Sequence, residues 1–266
     1  MKHESIQRAI ELSESYKESQ NQPEPVFIQK EKDLSVSEIE AFNGCPFKYY
    51  MTYDLGIRKW KNRNMARNDF GTLRHDIVEK CSDYINGEEL DIDMIIEQMC
   101  EKAKHNATNS NEQAYYFEQI EKQMKITVRV LRYQNMAGNF MIREHEVDVR
   151  EENGVYSIHG RFDRKDTFNQ YARIIDYKSS NKELNTDLAR LGFNIQMLLY
   201  VSMLDELPAG VLYFNMAPRV IKNAKLNQVE LKQFYKEYKM NGLLVNDESS
   251  LEAMNIQHID DILPMK

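Results

Sequence analysis

The hydrophobic period changes from helical to strand-like near Phe140, and that change restricts the fold more than any other feature. Between Ser35 and about residue 137, apolar side chains recur every three or four positions, the spacing of amphipathic helices. From Phe140 onward they alternate, the spacing of half-buried strands. The expected architecture is therefore α/β, a helical N-terminal half followed by a mixed central sheet flanked by helices.

Taken in order, residues 1–20 carry a thin apolar stripe (Ile6, Ala9, Ile10, Tyr16), and Pro23 and Pro25 mark a linker, so 1–30 reads as a helical extension. The main domain is expected over 31–266: a helical part (31–138), a sheet core (139–217), and a C-terminal helix and tail (218–266). Ser35 with Glu38 is a capping box opening a helix, which Gly44-Cys45-Pro46 interrupts. Its apolar face is expected from Ile39, Phe42, Phe47, Tyr50 and Met51. Tyr49, Tyr50 and Tyr53 are read first as core, with stacking on nucleobases the alternative. Further helices are expected from Asp69 to about Ile85, over 91–105 and over 112–137. Strands are expected over 140–149, 155–163, 172–178 and 210–216, with Asn153-Gly154 a hairpin turn. Helices are expected over 192–204 and about 227–240. The end, 246–266, has no clear pattern.

With 266 residues, 42% hydrophobic and 29% charged, the chain has the composition of a globular domain able to bury a core. No apolar run reaches the roughly 18 residues that span a bilayer, and the charged N-terminus has no signal-peptide core, so a cytoplasmic protein is expected. A net charge of −7 counts mildly against nucleic acid, but a phosphate footprint can be local. The segment Arg58-Lys59-Trp60-Lys61-Asn62-Arg63, with Arg67 beyond, is one such footprint or else a solvated basic loop. Three irregularly spaced cysteines (Cys45, Cys81, Cys100) define no disulfide framework or zinc finger. There is no phosphate-binding G-x-x-x-x-G-K-[ST] loop, hence no ATP motor in this sequence.

The chemistry concentrates between Gly160 and Tyr200. Alternation puts Asp163 on the polar side at the expected end of one strand, and Asp176 and Lys178 on a common side at the end of the next. Two carboxylates suit a hard divalent cation. The lysine can neutralise charge developing on a phosphate. Together they are the parts of a metal-dependent phosphodiesterase. His75 and Glu79, four apart, share one side of an upstream helix, as Gln196 and Tyr200 share one side of a downstream helix. An imidazole ligand suits Mn²⁺ better than Mg²⁺, so both ions are expected to be accepted.

Four segments occur in an order that resembles the RecB-type branch of the PD-(D/E)XK nuclease superfamily. Gly71–Glu79 is similar to its G-x-x-x-H-x-x-x-E helix, and Gly160–Arg164 to its G-x-x-D-R strand end. Asp176–Ser179 is similar to its D-x-K-[ST] motif, and Gln196–Tyr200 to its Q-x-x-x-Y helix. The opening, Leu34–Ser37 through Cys45–Tyr50, resembles that of the C-terminal nuclease domain of AddB-type helicase–nuclease subunits. The resemblance implies a restriction-endonuclease-like fold and a DNA exonuclease acting on single-stranded ends beside an AddA-type partner. It implies Asp163, Asp176 and Lys178 as catalytic residues, with metal held by His75, Asp163, Asp176 and the Tyr177 carbonyl. Glu79, Gln196 and Tyr200 would support the site or contact DNA, and Glu146 would be an assisting acid from the first strand. Such subunits usually carry a four-cysteine 4Fe-4S cluster. Only Cys45 matches a ligand, so a cluster is expected only in a longer chain. Alternatives are a stand-alone RecB-like or CRISPR-associated exonuclease, and an inactive DNA-binding or docking module of the same fold.

Overall fold

The computed structural model describes residues 32–57, 67–106, 111–152, 154, 156–180, 182–216 and 237–254. The expected helices over 1–20 and most of 227–240, and the basic segment Arg58–Arg63, lie outside the described residues. Contacts divide the chain into Met1–Asp33 and Leu34–Lys266, and the second unit holds the fold.

Its helical part comprises α1 (Val36–Gly44), α2 (Pro46–Tyr49) with a π-turn to Asp54, α3 (Arg67–Lys80), α4 (Ser82–Ile85), α5 (Ile92–Asn106) and α6 (Asn111–Met136). The predicted capping box starts α1: Ser35 Oγ accepts from Glu38 N at 3.2 Å, and Glu38 Oε2 accepts from Ser35 N at 2.7 Å. The sheet has six strands: β1 (Lys32–Ser35), β2 (Met141–Glu152), β3 (Tyr156–Phe168), β4 (Tyr171–Lys178), β5 (Leu207–Asn215) and β6 (Asn241–Leu244). Their order is β1-β3-β4-β5-β6, with β2 also on β3. The pairs β2–β3, β3–β4 and β5–β6 are antiparallel, whereas β4 and β5 pair parallel. That pairing needs a crossover, which carries α7 (Thr186–Arg190) and α8 (Gln196–Ser202). A further helix, α9, spans Glu248–Ala253.

Residues of β4 and β5 are buried almost throughout, because both faces are covered. Ile175, Tyr177, Leu212 and Phe214 pack against α3, α5 and α6 through Leu73, Ile77, Ile96, Met124 and Leu131. On the other face, Ile174, Val211 and Tyr213 join Val36, Phe162, Met197 and Tyr200. The helical half is thus one wall of the sheet.

Four expectations are corrected. β3 does not end at Asp163 but runs on to Phe168, because the charged residues that look like a loop, Arg164 and Asp166, neutralise one another in the interior. The aromatic face of α1, α2 and the π-turn is not core: Phe42, Phe47 and Tyr50 are about half exposed or more, and Tyr49 stacks on Tyr53 at 5.3 Å. Spacing alone could not show that no described element covers it. The helix expected over 192–204 is shorter, since Gly192 sits at φ +85° in the turn after α7 and Ile195 caps α8. The patternless end in fact holds α9, which Asp247 caps by accepting from Ser250 N at 2.9 Å. The short β6 before it was also unforeseen. It is set by Gly242, where a Cβ would lie 1.9 Å from the Val211 carbonyl oxygen.

Candidate metal-dependent nuclease site

Beyond the Arg164–Ile175 pair no β3–β4 register pair is formed, and the site lies at that opening. There Asp163 Oδ2 accepts from Tyr177 N at 2.6 Å, a side chain standing in for a ladder partner. Alternation also breaks at this point. Phe162 packs with Tyr200 on one face, whereas Arg164, two residues on, bonds Asn135 of α6 on the other. Across the β2–β3 ladder, Glu146 lies between the His145–Arg164 and Val147–Phe162 pairs and has φ +48°. A left-handed non-glycine residue costs about 1–3 kcal/mol and persists where surrounding structure imposes it. Here it accompanies a carboxylate held against Asp163.

From α3, His75 closes the group. Its Nδ1 is 3.5 Å from Asp163 Oδ1 and 3.7 Å from Glu146 Oε1, and ligand atoms of all three lie within 4.8 Å of one another. Two ligands bound about 2.1 Å from one ion at right angles stand about 3 Å apart, so this spacing and this N,O,O donor set fit a shared divalent cation. Glu79, His145 and Tyr177 complete the cleft lining, and the His75 ring meets Tyr177 edge-on at 5.7 Å. Burial alone would lower the His75 pKa. Its hydrogen bond to Asp163, with the charges of Asp163, Glu146 and Asp176, outweighs burial and raises it. Burial, then Asp163, raises Glu146. Both shifts favour added positive charge in the cluster, which a bound cation would supply.

Asp176, expected as a catalytic residue and metal ligand, lies next to this group. Nearly buried at 3% exposure, it directs Oδ2 to Lys178 Nζ and stands outside the three-ligand group. Burial, then Asp163, pushes its pKa up, against the pull of Lys178. Asp176 and Lys178 do point the same way, as their spacing requires, toward the face that holds Tyr213. The structure thus gathers His75, Glu146 and Asp163 in one group and Asp176 with Lys178 in a second beside it.

Gln196 and Tyr200 meet on α8: Gln196 Nε2 donates to Tyr200 Oη at 2.9 Å, and Gln196 N donates to Glu40 Oε1 at 3.0 Å. Tyr200 explains the glycine at 160, where an added Cβ would lie 2.5 Å from its ring. The ring cannot easily yield, since it is buried, hydrogen-bonded and packed on Phe162. Gly160→Ala is therefore expected to cost about 1–3 kcal/mol, read as a lower midpoint in urea unfolding. Cys45 is exposed, and its Sγ accepts from Lys48 N at 3.5 Å. Cys81 and Cys100 are buried in the helical core, where burial pushes both thiols up to about 11, so they are not partners for it.

Three groups had not been foreseen. Glu40 anchors α8. Lys182 stands over the Tyr213 ring at 4.7 Å. His145 Nε2 lies 2.7 Å from Ser82 Oγ, which itself donates to the Glu79 carbonyl. Lys182, four residues after Lys178, had a legible spacing. Burial, then Arg164, pushes His145 down to about 4 from 6.5. A histidine depressed in the folded state contributes stability that is full above its unfolded pKa and lost as pH falls through the folded one. Stability should therefore fall between about pH 6.5 and 4 by on the order of 2–3 kcal/mol from this residue. His145→Gln is expected to reduce the difference in melting temperature between pH 7 and pH 5.

The chain is 29% identical over 264 residues to an ATP-dependent helicase/deoxyribonuclease subunit, of the B type, from Clostridium acetobutylicum, covering 84% of this chain and 23% of that one. It is 27% identical over 286 residues to the protein of the same name from Staphylococcus epidermidis (88% and 24%). The chain thus spans about a quarter of the length of these curated relatives. A crystal structure from Eubacterium rectale, of a protein provisionally assigned as an exonuclease, superposes with TM-score 0.39 at 12% identity, covering 86% of this chain and 79% of that one. The family description "PD-(D/E)XK nuclease superfamily" matches residues 33–258, most of the chain, and on that match the chain belongs to the PD-(D/E)XK nuclease superfamily.

Proposed function

We propose that this chain is a metal-dependent DNA exonuclease domain that hydrolyses phosphodiester bonds of single-stranded DNA, the nuclease part of an AddB-type subunit that works with an AddA-type partner in double-strand break repair. The observation that carries the reading is the convergence of His75, Glu146 and Asp163 ligand atoms within 4.8 Å, next to the Asp176–Lys178 pair. Relatives named as subunits of an ATP-dependent helicase/deoxyribonuclease support the assembly.

His75, Glu146 and Asp163 would hold Mg²⁺ or Mn²⁺, with Asp176 and the Tyr177 carbonyl the further candidates. A divalent ion supplies Lewis acidity toward a phosphoryl oxygen and lowers the pKa of bound water. The chain's own work is positioning and charge. Asp163 is fixed by the Tyr177 peptide, so one oxygen remains directed to His75. Lys178, tethered by Asp176 with about a third of its side chain exposed, presents an ammonium that can neutralise a phosphate gaining charge. Gln196 and Tyr200 act through the backbone at Gly160, holding β3 in place.

The test is incubation of end-labelled linear and covalently closed circular single-stranded DNA with Mg²⁺, with Mn²⁺ and with EDTA. Metal-dependent loss of the linear substrate with the circle spared is expected. Cutting of the circle would make the enzyme an endonuclease. Binding without cleavage under every metal would favour a DNA-binding module.

A further inference from the structure

The Asp176 side of the sheet carries two groups, Tyr213 and Lys182, that the proposed chemistry does not use. On adjacent parallel strands Asp176 is in register with Tyr213, so their side chains share a face. Two ammoniums lie near the Tyr213 ring, Lys182 Nζ at 4.7 Å from its centroid and Lys178 Nζ at 6.0 Å. Lys178 is paired with Asp176, and Glu40 is engaged by the Gln196 peptide. Lys182 has no such partner among the described residues, and its close contact is the aromatic face. Tyr213 is 2% exposed, and its hydroxyl, which senses Asp176, Glu40 and Tyr200, has no hydrogen-bond partner among the described residues.

A half-buried cation next to another cation is unfavourable. Burial, then Lys178, lowers the Lys182 pKa, only partly offset by the charges of Asp176 and Glu40. Stacking on an aromatic ring offsets part of this and fixes where the ammonium sits. The fuller compensation is a polyanion that brings one anionic group to each lysine, and a buried hydroxyl without an acceptor is a donor in reserve for it. The anion already required at Lys178 is a nucleic-acid phosphate. Both ammoniums lie within 6.0 Å of one ring centroid, so one strand can bring a phosphate to each of them.

We propose that Lys182 is a substrate-binding residue: on its Tyr213 platform it takes the DNA phosphate adjacent to the one presented to Lys178. This rests on the nuclease reading but is tested separately from it. Binding of fluorescein-labelled single-stranded oligothymidylate is measured by anisotropy in EDTA, from 50 to 250 mM KCl, for the whole chain and for Lys182→Ala, Lys182→Arg and Tyr213→Phe, with melting temperatures as the folding control. Lys182→Ala is expected to raise Kd about tenfold and to make the slope of log Kd against log salt shallower by about 0.7, the loss of one single-strand phosphate contact. Lys182→Arg should restore both. Tyr213→Phe, which keeps the ring, should weaken binding by a smaller factor. In metal-activated turnover Lys182→Ala should raise KM by the same factor with kcat at saturation retained. Unchanged Kd and salt slope in Lys182→Ala overturn the proposal, as does a fall in kcat with Kd and KM unchanged, which would place Lys182 in the chemical step. If the wild-type chain binds DNA but never cleaves it, the nuclease reading fails while the binding data still decide Lys182. No binding by the wild-type chain overturns both.

Discussion

Lys178→Ala is expected to lower metal-activated cleavage of single-stranded DNA by about a hundred- to a thousand-fold, the usual cost of removing one preorganised charge-stabilising group. Lys178 is 30% exposed and packs in no hydrophobic core, so any fall in melting temperature should come from the Asp176 carboxylate left unpaired, and activity should fall far more than stability. The loss should appear in kcat more than in KM, because the ammonium acts where charge develops. Losing it also leaves Asp176 buried without its cation, and its already raised pKa should rise further. Single-turnover rates across pH 6–9 would show this as an activity profile displaced to higher pH in Lys178→Gln. Cleavage that survives Lys178→Ala at wild-type rate would remove the lysine from the mechanism.

The second large effect is structural. Asp166, fully buried, accepts from Arg164 Nε at 2.5 Å, Arg164 Nη2 at 2.7 Å and Arg173 Nε at 2.9 Å. Arg164 continues the network to Tyr177 Oη at 3.3 Å and Asn135 Oδ1 at 2.9 Å, and Asn135 Nδ2 donates to Asn86 Oδ1 at 3.2 Å. Burial alone would raise the Asp166 pKa, but the two guanidiniums hold it below the usual carboxylate range. Asp166→Ala would leave two buried cations without an anion, a change that costs about 3–5 kcal/mol. Chemical denaturation should show it directly. Because Tyr177 carries both the ring against His75 and the peptide bonded to Asp163, metal affinity should fall in the same variant. A variant as stable as wild type would mean that the charges are satisfied in some other way.

This network shows where sequence reading reaches its limit. The helical half, the capping box at Ser35, and β2, β4 and β5 were legible because period and capping chemistry are local. Gly160 and Tyr200 were recognisable as motif residues forty positions apart, but only their contact explains the pair. Arg164 and Asp166 looked like the start of a loop, because charge in a strand is readable only when its partner is known, and Arg173 lies on the next strand. The placement of Asp163 and Glu146 beside His75 depends on a break in alternation and a left-handed residue, which no period predicts. The exposed aromatics at Phe42, Phe47 and Tyr50 show the converse. Spacing marked an apolar face, while burial depends on what else is packed there.

The central claim is that His75, Glu146 and Asp163 hold one divalent ion. Electron paramagnetic resonance of free Mn²⁺, titrated with the whole chain, tests it without requiring activity. One bound ion per chain is predicted for the wild-type protein, with affinity reduced at least tenfold in Asp163→Ala and in His75→Ala, and Mg²⁺ competing for the site. Undiminished Mn²⁺ binding in both variants, or no binding by the wild-type chain, would contradict it.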